Sequence, residues 1–241
     1  MRELEHAHDS ASIRRRLAAG PPVSYLRDWV YGGIDGAVTT FAIVAGAVGA
    51  DLSPQIVLVR GAANLVGDGF SMAAGDFSAT KAERDEYAHL RAVEERHVDL
   101  VPEGEREEVR QIYRAKGFRG EDLERAVGIV TASRERWIDA MMAEEHGVPK
   151  ALRVPWRAAL GTFGAFLACG LIPLLPFVAG TDGASGQSLA ATALVFFGIG
   201  AAKSRWSVTS WWRSGSETLA VGLAAAGLAF AIGHWLKDYV S

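Results

Sequence analysis

The chain has 241 residues, of which 49% are hydrophobic, and a net charge of −3. The length allows one or two ordinary domains, and the absence of a basic face interleaved with aromatics excludes a nucleic-acid-binding surface. Its single cysteine, Cys169, excludes an internal disulfide and any cysteine-based zinc site.

Residues 1–28 form a polar N-terminal tail with His6, His8 and the run Arg14-Arg15-Arg16, and lack the apolar core of a secretory signal. Two metal-capable imidazoles stand there, but the composition predicts an unstructured tail. Val30 to Ala50 is long enough to span a bilayer and carries Asp35. Asp51 to Pro54 predicts a tight turn. Gln55 to Ala79 follows, with Arg60, Asp68 and Asp76. Charges at membrane depth are costly and usually face a bundle interior or a water-filled path, so the weak hydropathy of this pair is itself a functional signal.

The second segment does not stop at a membrane surface. From Phe77 to Asp99 there is neither Gly nor Pro, which predicts one helix from Gln55 to Asp99, about 65 Å long at 1.5 Å per residue. Pro102 breaks it. A helix over 103–116 closed by Gly117, and one or two more over 121–146 closed by Gly147, complete an acidic, helical insert over 81–153. Three apolar stretches then follow, at 158–180, 184–202 and 218–236.

The fold class is all-α: a polytopic membrane protein with five transmembrane helices and a helical metal-binding insert between the second and third. Its parts are the tail (1–28), spans one and two (29–80), the insert (81–153) and spans three to five (154–241). Arg14 to Arg16 and Arg27 precede the first span, and Lys203, Arg205 and Arg213 separate the last two. The positive-inside rule places the N-terminus and the insert in the cytoplasm. Trp29, Tyr31, Trp156, Trp206, Trp211, Trp212, Trp235 and Tyr239 fall near span ends, where interfacial anchors belong.

Two sets of side chains carry chemistry. Asn64, Asp68, Met72 and Asp76 recur every four residues and share one side of a helix. On the neighbouring span Asp35 sits in Gly32-Gly33-Ile34-Asp35-Gly36, a small-residue packing motif. In the insert, Glu94 and His97 are three apart, as are Glu105 and Glu108, while Met141, Met142 and Glu145 group on the last helix. Carboxylates with imidazole and thioether favour an ion such as Fe²⁺ over Mg²⁺ or Ca²⁺. The bland alternative is a solvated face of Glu–Arg pairs, and the many arginines of the insert keep it open.

At these residues the chain resembles the vacuolar iron transporter family of plant and yeast carriers and their bacterial relatives. The resemblance covers nearly everything after Asp28. It rests on Tyr31 to Gly36, Asn64 to Lys81, Val101 to Glu108, Trp137 to Glu145 and Gly170 to Pro176. It implies a homodimer of five-span protomers that exports Fe²⁺, often also Mn²⁺, from the cytoplasm in exchange for protons. No cofactor is permanently bound, and the metal is cargo. By position, Asp35 and Met72 match the family's path, and Glu94, Glu105, Glu108, Met141, Met142 and Glu145 its cytoplasmic ligands. This chain departs from the family at Asn64 and near His97, where the family favours glutamate. Asp68, one turn on, is placed to restore the first charge, and His97 to bind through imidazole.

The expected function is therefore export of Fe²⁺ or a similar divalent ion by proton antiport, with the divalent metal, protons, the lipid bilayer and a second copy of the chain as partners. The alternatives are a membrane-anchored ferritin-like ferroxidase, suggested by the single Glu94-x-x-His97 element, and a non-transporting metal sensor. The want of a targeting segment points to a prokaryotic plasma membrane.

Overall fold

A computed structural model describes residues 7–240 of the chain, and the side chains of residues 7–237. His6 and the side chain of Tyr239 lie outside the described residues. Every regular element among them is helical. The chain divides into two compact units, one holding the segment up to Val23 with Thr80–Arg153, the other Ser24–Ala79 with Val154–Ser241.

In the first unit, α1 (Ser10–Ala19) stands in the polar tail where an unstructured segment is expected. Asp9 caps it, accepting from the backbone N–H groups of Ala11 and Ser12 at 3.1 and 3.0 Å, and Ala, Leu and Arg are good helix formers. Beyond Thr80 the unit contains the end of α3 (Pro54–Leu100), which runs unbroken as the sequence predicts. Pro102 then opens α4 (Pro102–Ala115), where its missing N–H costs nothing. α5 (Gly120–Thr131) and α6 (Arg134–Glu144) follow. Val98, Val109, Leu123, Val127, Trp137, Ile138, Met141 and Met142 form its core, each contributing roughly 1.5–3 kcal/mol on burial of a large apolar side chain.

Among the described residues of the second unit, four helical segments are long and apolar enough to cross a membrane: Leu26–Gly49, Pro155–Val178, Ala184–Trp206 and Trp211–Lys237. They hold α2 (Leu26–Gly49), α7 (Pro155–Leu171), α8 (Leu175–Val178), α9 (Ala184–Lys203) and most of α10 (Trp211–Val240). A 3₁₀ turn at Ile172–Leu174, where Pro173 removes a backbone donor, joins α7 to α8. The first half of α3 is not among the four apolar segments, because Arg60, Asp68 and Asp76 interrupt it.

Glycines set how these helices approach. A Cβ on Gly32 would meet the Thr162 carbonyl oxygen at 2.3 Å, and one on Gly36 the Phe166 carbonyl oxygen at 2.3 Å. The Gly32-x-x-x-Gly36 motif thus seats α7 within the same chain, with the two helices parallel. α10 packs along the C-terminal half of α2 in the parallel sense, with Gly46 against Ala229 and Gly233 and Gly49 against Phe230 and His234. α3 runs antiparallel to α7: Gly61 faces Leu174, Gly69 faces Phe166, and Asp76 accepts from Thr162 Oγ1 at 2.7 Å. Tyr25 Oη accepts from the Val154 N–H at 2.9 Å at one end of the unit, and Asp51 pairs with Lys237 at the other. Residues 54–76 therefore lie beside the apolar helices along their length. Trp29, Tyr31, Trp156, Trp206, Trp211, Trp212 and Trp235 are all exposed on this unit.

Candidate functional site

In the first unit the helical spacing brings together residues far apart in the chain. Glu94 projects from α3, Glu105 and Glu108 from the first two turns of α4, and Glu145 caps α6. Glu94 and Glu105 are only 2% and 3% exposed. Each keeps one carboxylate oxygen, Oε2, buried with no hydrogen-bond partner. Burying a carboxylate without partners costs several kcal/mol, so these oxygens are set for something the protein itself does not supply.

The arginines of the insert do not supply it. Arg110 pairs with Glu107 and Glu124, Arg91 with Glu95 and Asp139, Arg134 with Asp99, and Lys116 with Glu144. Among the described residues no Lys or Arg forms an ion pair with Glu94, Glu105, Glu108 or Glu145. The solvated face of Glu–Arg pairs thus exists, but on other carboxylates. The consequence is electrostatic. Burial, followed by the charges of Glu108, Glu94 and Glu145, pushes the Glu105 carboxyl up to about 7. Partial burial and the charges of Glu108 and Glu94 also raise Glu145, while His146 opposes them. A cavity of about 280 Å³ opens beside Glu108, Glu145 and Ile112.

The other predicted residues of the insert stand around this group. His97 is 44% exposed at its rim, with Nδ1 3.3 Å from Glu105 Oε1. Met141 and Met142 are buried in the core, one turn before Glu145 on α6. His146, which belongs to no helical spacing pattern in the sequence, places Nε2 2.9 Å from Glu94 Oε1. One ligand atom each from Glu94, Glu145 and His146 lie within 4.8 Å of one another. Its only sequence signal is adjacency to Glu145.

In the second unit Asn64 donates through Nδ2 to Asp68, and Thr40 Oγ1 donates to Asn64 Oδ1 at 3.5 Å. Asp35, half-buried on α2, interacts through its charge with Asp68. Met72, one turn beyond Asp68 on α3, lines a cavity of about 370 Å³ with Arg27, Asp28, Tyr31, Asp76 and Thr162. Of the four predicted path residues, Asp35, Asn64 and Asp68 are thus linked by polar interactions and Met72 lines the adjoining turn of α3.

A family model described as the VIT family matches residues 26–234. The vacuolar iron transporter of Toxoplasma gondii is 40% identical over 157 residues, covering 64% of this chain and 52% of that protein. Vacuolar iron transporter 1 of Arabidopsis thaliana is 32% identical over 212 residues, 86% of this chain and 84% of its own. Vacuolar iron transporter 2 of Oryza sativa is 32% identical over 214 residues, 86% and 85%. These relatives are named as transporters, not enzymes. Their names also correct the expectation of a prokaryotic plasma membrane, since they place the relatives' transport at the vacuole. The physical reason is that a polar N-terminus carries no address: apolar spans suffice to insert a chain into any membrane.

Proposed function

The chain belongs to the VIT family, and from that premise we propose that it is a membrane transporter moving Fe²⁺, and related ions such as Mn²⁺, out of the cytoplasm in exchange for protons. The observation that carries this reading is the group of four carboxylates, two of them buried with an orphaned oxygen, with which no Lys or Arg among the described residues forms an ion pair. A divalent cation is the partner that such a group lacks.

In this reading α3 supplies a fifth span. Its first half carries charge, but it lies along α7 from Gly61 to Asp76 in the antiparallel sense a membrane hairpin requires. The insert and N-terminus are then cytoplasmic, on the side of Arg27, Lys203, Arg205 and Arg213. The transporting unit is a homodimer, as the family resemblance implies.

Glu94, His97, Glu105, Glu108 and Glu145 capture the ion from the cytoplasm. Met141 and Met142 sit one turn away and bias the site towards softer ions. The ion passes to Asp35, Asn64, Asp68 and Met72, which replace part of its hydration. Asp68 holds the charge that Asn64 lacks, the two side chains being hydrogen-bonded as one unit. Protons and metal compete for the same carboxylate oxygens, and that competition couples their opposite movements.

The test is Fe²⁺ uptake by vesicles bearing wild type or a Glu105→Ala/Glu108→Ala double variant. The variant is expected to need at least tenfold more Fe²⁺ for half-maximal uptake, with its maximal rate largely kept. Identical concentration dependence would reduce the insert to a solvated face.

A further inference from the structure

We propose that His146 is itself a metal ligand, forming with Glu94 and Glu145 a three-point site whose nitrogen selects transition-metal ions over Mg²⁺ and Ca²⁺. This rests on the transport reading above and deepens it by naming what sets the ion class.

The backbone aims the ring. After α6 ends, the Glu145 and His146 N–H groups both donate to the Met141 carbonyl, at 2.9 and 3.4 Å, and the Val148 N–H donates to that of Met142 at 3.0 Å. Gly147, at φ +65°, takes the left-handed conformation that this reversal needs. The turn is thereby pinned, and the imidazole points back at Glu94 instead of into solvent.

The three ligand atoms lie within 4.8 Å of one another. Around an ion with bonds of about 2.1 Å, neighbouring ligands stand about 3 Å apart and opposite ones about 4.2 Å. The Glu94–His146 pair already stands at the neighbouring-ligand distance, 2.9 Å, and Glu145 is near enough for side-chain rotation to close the set on a single ion. A second observation points to a ligand: Glu94, 2% exposed, already meets His146 through Oε1, yet its Oε2 is buried with no partner. One imidazole does not neutralise Glu94, Glu105, Glu108 and Glu145, whereas a dication bound by both His146 and Glu94 offsets two charges at once. Mixed imidazole and carboxylate donors suit Fe²⁺, Co²⁺ and Zn²⁺, and suit Mg²⁺ and Ca²⁺ poorly.

The test titrates the full-length protein with Co²⁺, whose visible bands report its ligands, and separately with Mg²⁺. Wild type, His146→Ala, His146→Gln and Glu145→Ala are compared. Glutamine keeps a hydrogen-bond donor towards Glu94 but is a poor ligand. Both His146 variants are expected to shift the Co²⁺ bands and weaken Co²⁺ by about 10–100-fold, with Mg²⁺ affinity changed less than about threefold. A wild-type spectrum and affinity in His146→Gln would make His146 a positioning residue for Glu94 and overturn the proposal. If Glu145→Ala weakens Co²⁺ while both His146 variants do not, this inference fails alone. If all three bind Co²⁺ as wild type does, the metal-capture reading of the insert fails with it.

Discussion

Glu105→Gln should stabilise the insert in the absence of metal, although it removes a residue of the proposed site. Glu105 is buried among like charges, and its carboxyl is pushed up to about 7 from an ordinary 4.5. A carboxyl whose pKa rises on folding takes up a proton on folding. Its contribution is therefore fully present below about pH 4.5 and is lost as pH climbs through about 7. The loss from this one group approaches about 3 kcal/mol at pH 8, against about 1 kcal/mol at pH 5. Glutamine has the same shape and no charge. Hydrogen exchange on the metal-free, full-length protein reads this locally, at the α4 and α6 amides. At pH 8 the variant's protection should exceed wild type by on the order of 100-fold, and at pH 5 by less than about fivefold. Equal or lower protection at pH 8 would refute the idea that Glu105 is held in an unneutralised pocket. Excess Co²⁺ should then raise protection in wild type far more than in the variant.

Other outcomes follow from the same geometry. Metal affinity of the insert should rise about tenfold per pH unit below about pH 7 and level off above it, as the proton leaves Glu105; calorimetric titration with Co²⁺ from pH 5.5 to 8 checks this, and a flat profile would contradict it. Gly36→Ala places a Cβ 2.3 Å from a backbone oxygen of α7 and should abolish monodisperse protein in detergent, whereas Gly198→Ala, with nothing within 4 Å, should leave yield and melting unchanged. Equal yields from the two would mean that α2 and α7 do not pack through Gly36.

The helices were legible in the sequence where one local rule decided them. An unbroken run without Gly or Pro marked α3 through the boundary between the units, and Pro102 marked where α4 begins. The tail helix α1 was missed because its signal is a single cap, Asp9, on a short polar segment with no buried face. Gly32 and Gly36 were visible as a packing motif, but only the tertiary arrangement identifies their neighbour as α7. Spacing alone also left open whether the insert's carboxylates were ion-paired. Pairing is decided by contacts such as Arg110 with Glu124, fourteen residues apart, which no helical period encodes. His146 was missed for a related reason, since its ring is aimed by the turn at Gly147 and not by a helix face. The membrane address was misread because hydropathy and charge report how a chain crosses a bilayer, and nothing about which one.

Transport itself is tested most directly by Fe²⁺ flux into proteoliposomes with internal pH recorded, for wild type and Asp35→Asn. Wild type should carry Fe²⁺ inward as protons move out, and Asp35→Asn, purified in equal yield, should do neither. Undiminished coupled flux through Asp35→Asn would remove Asp35 from the path, and absence of flux from well-folded wild type under any gradient would contradict a transporter altogether.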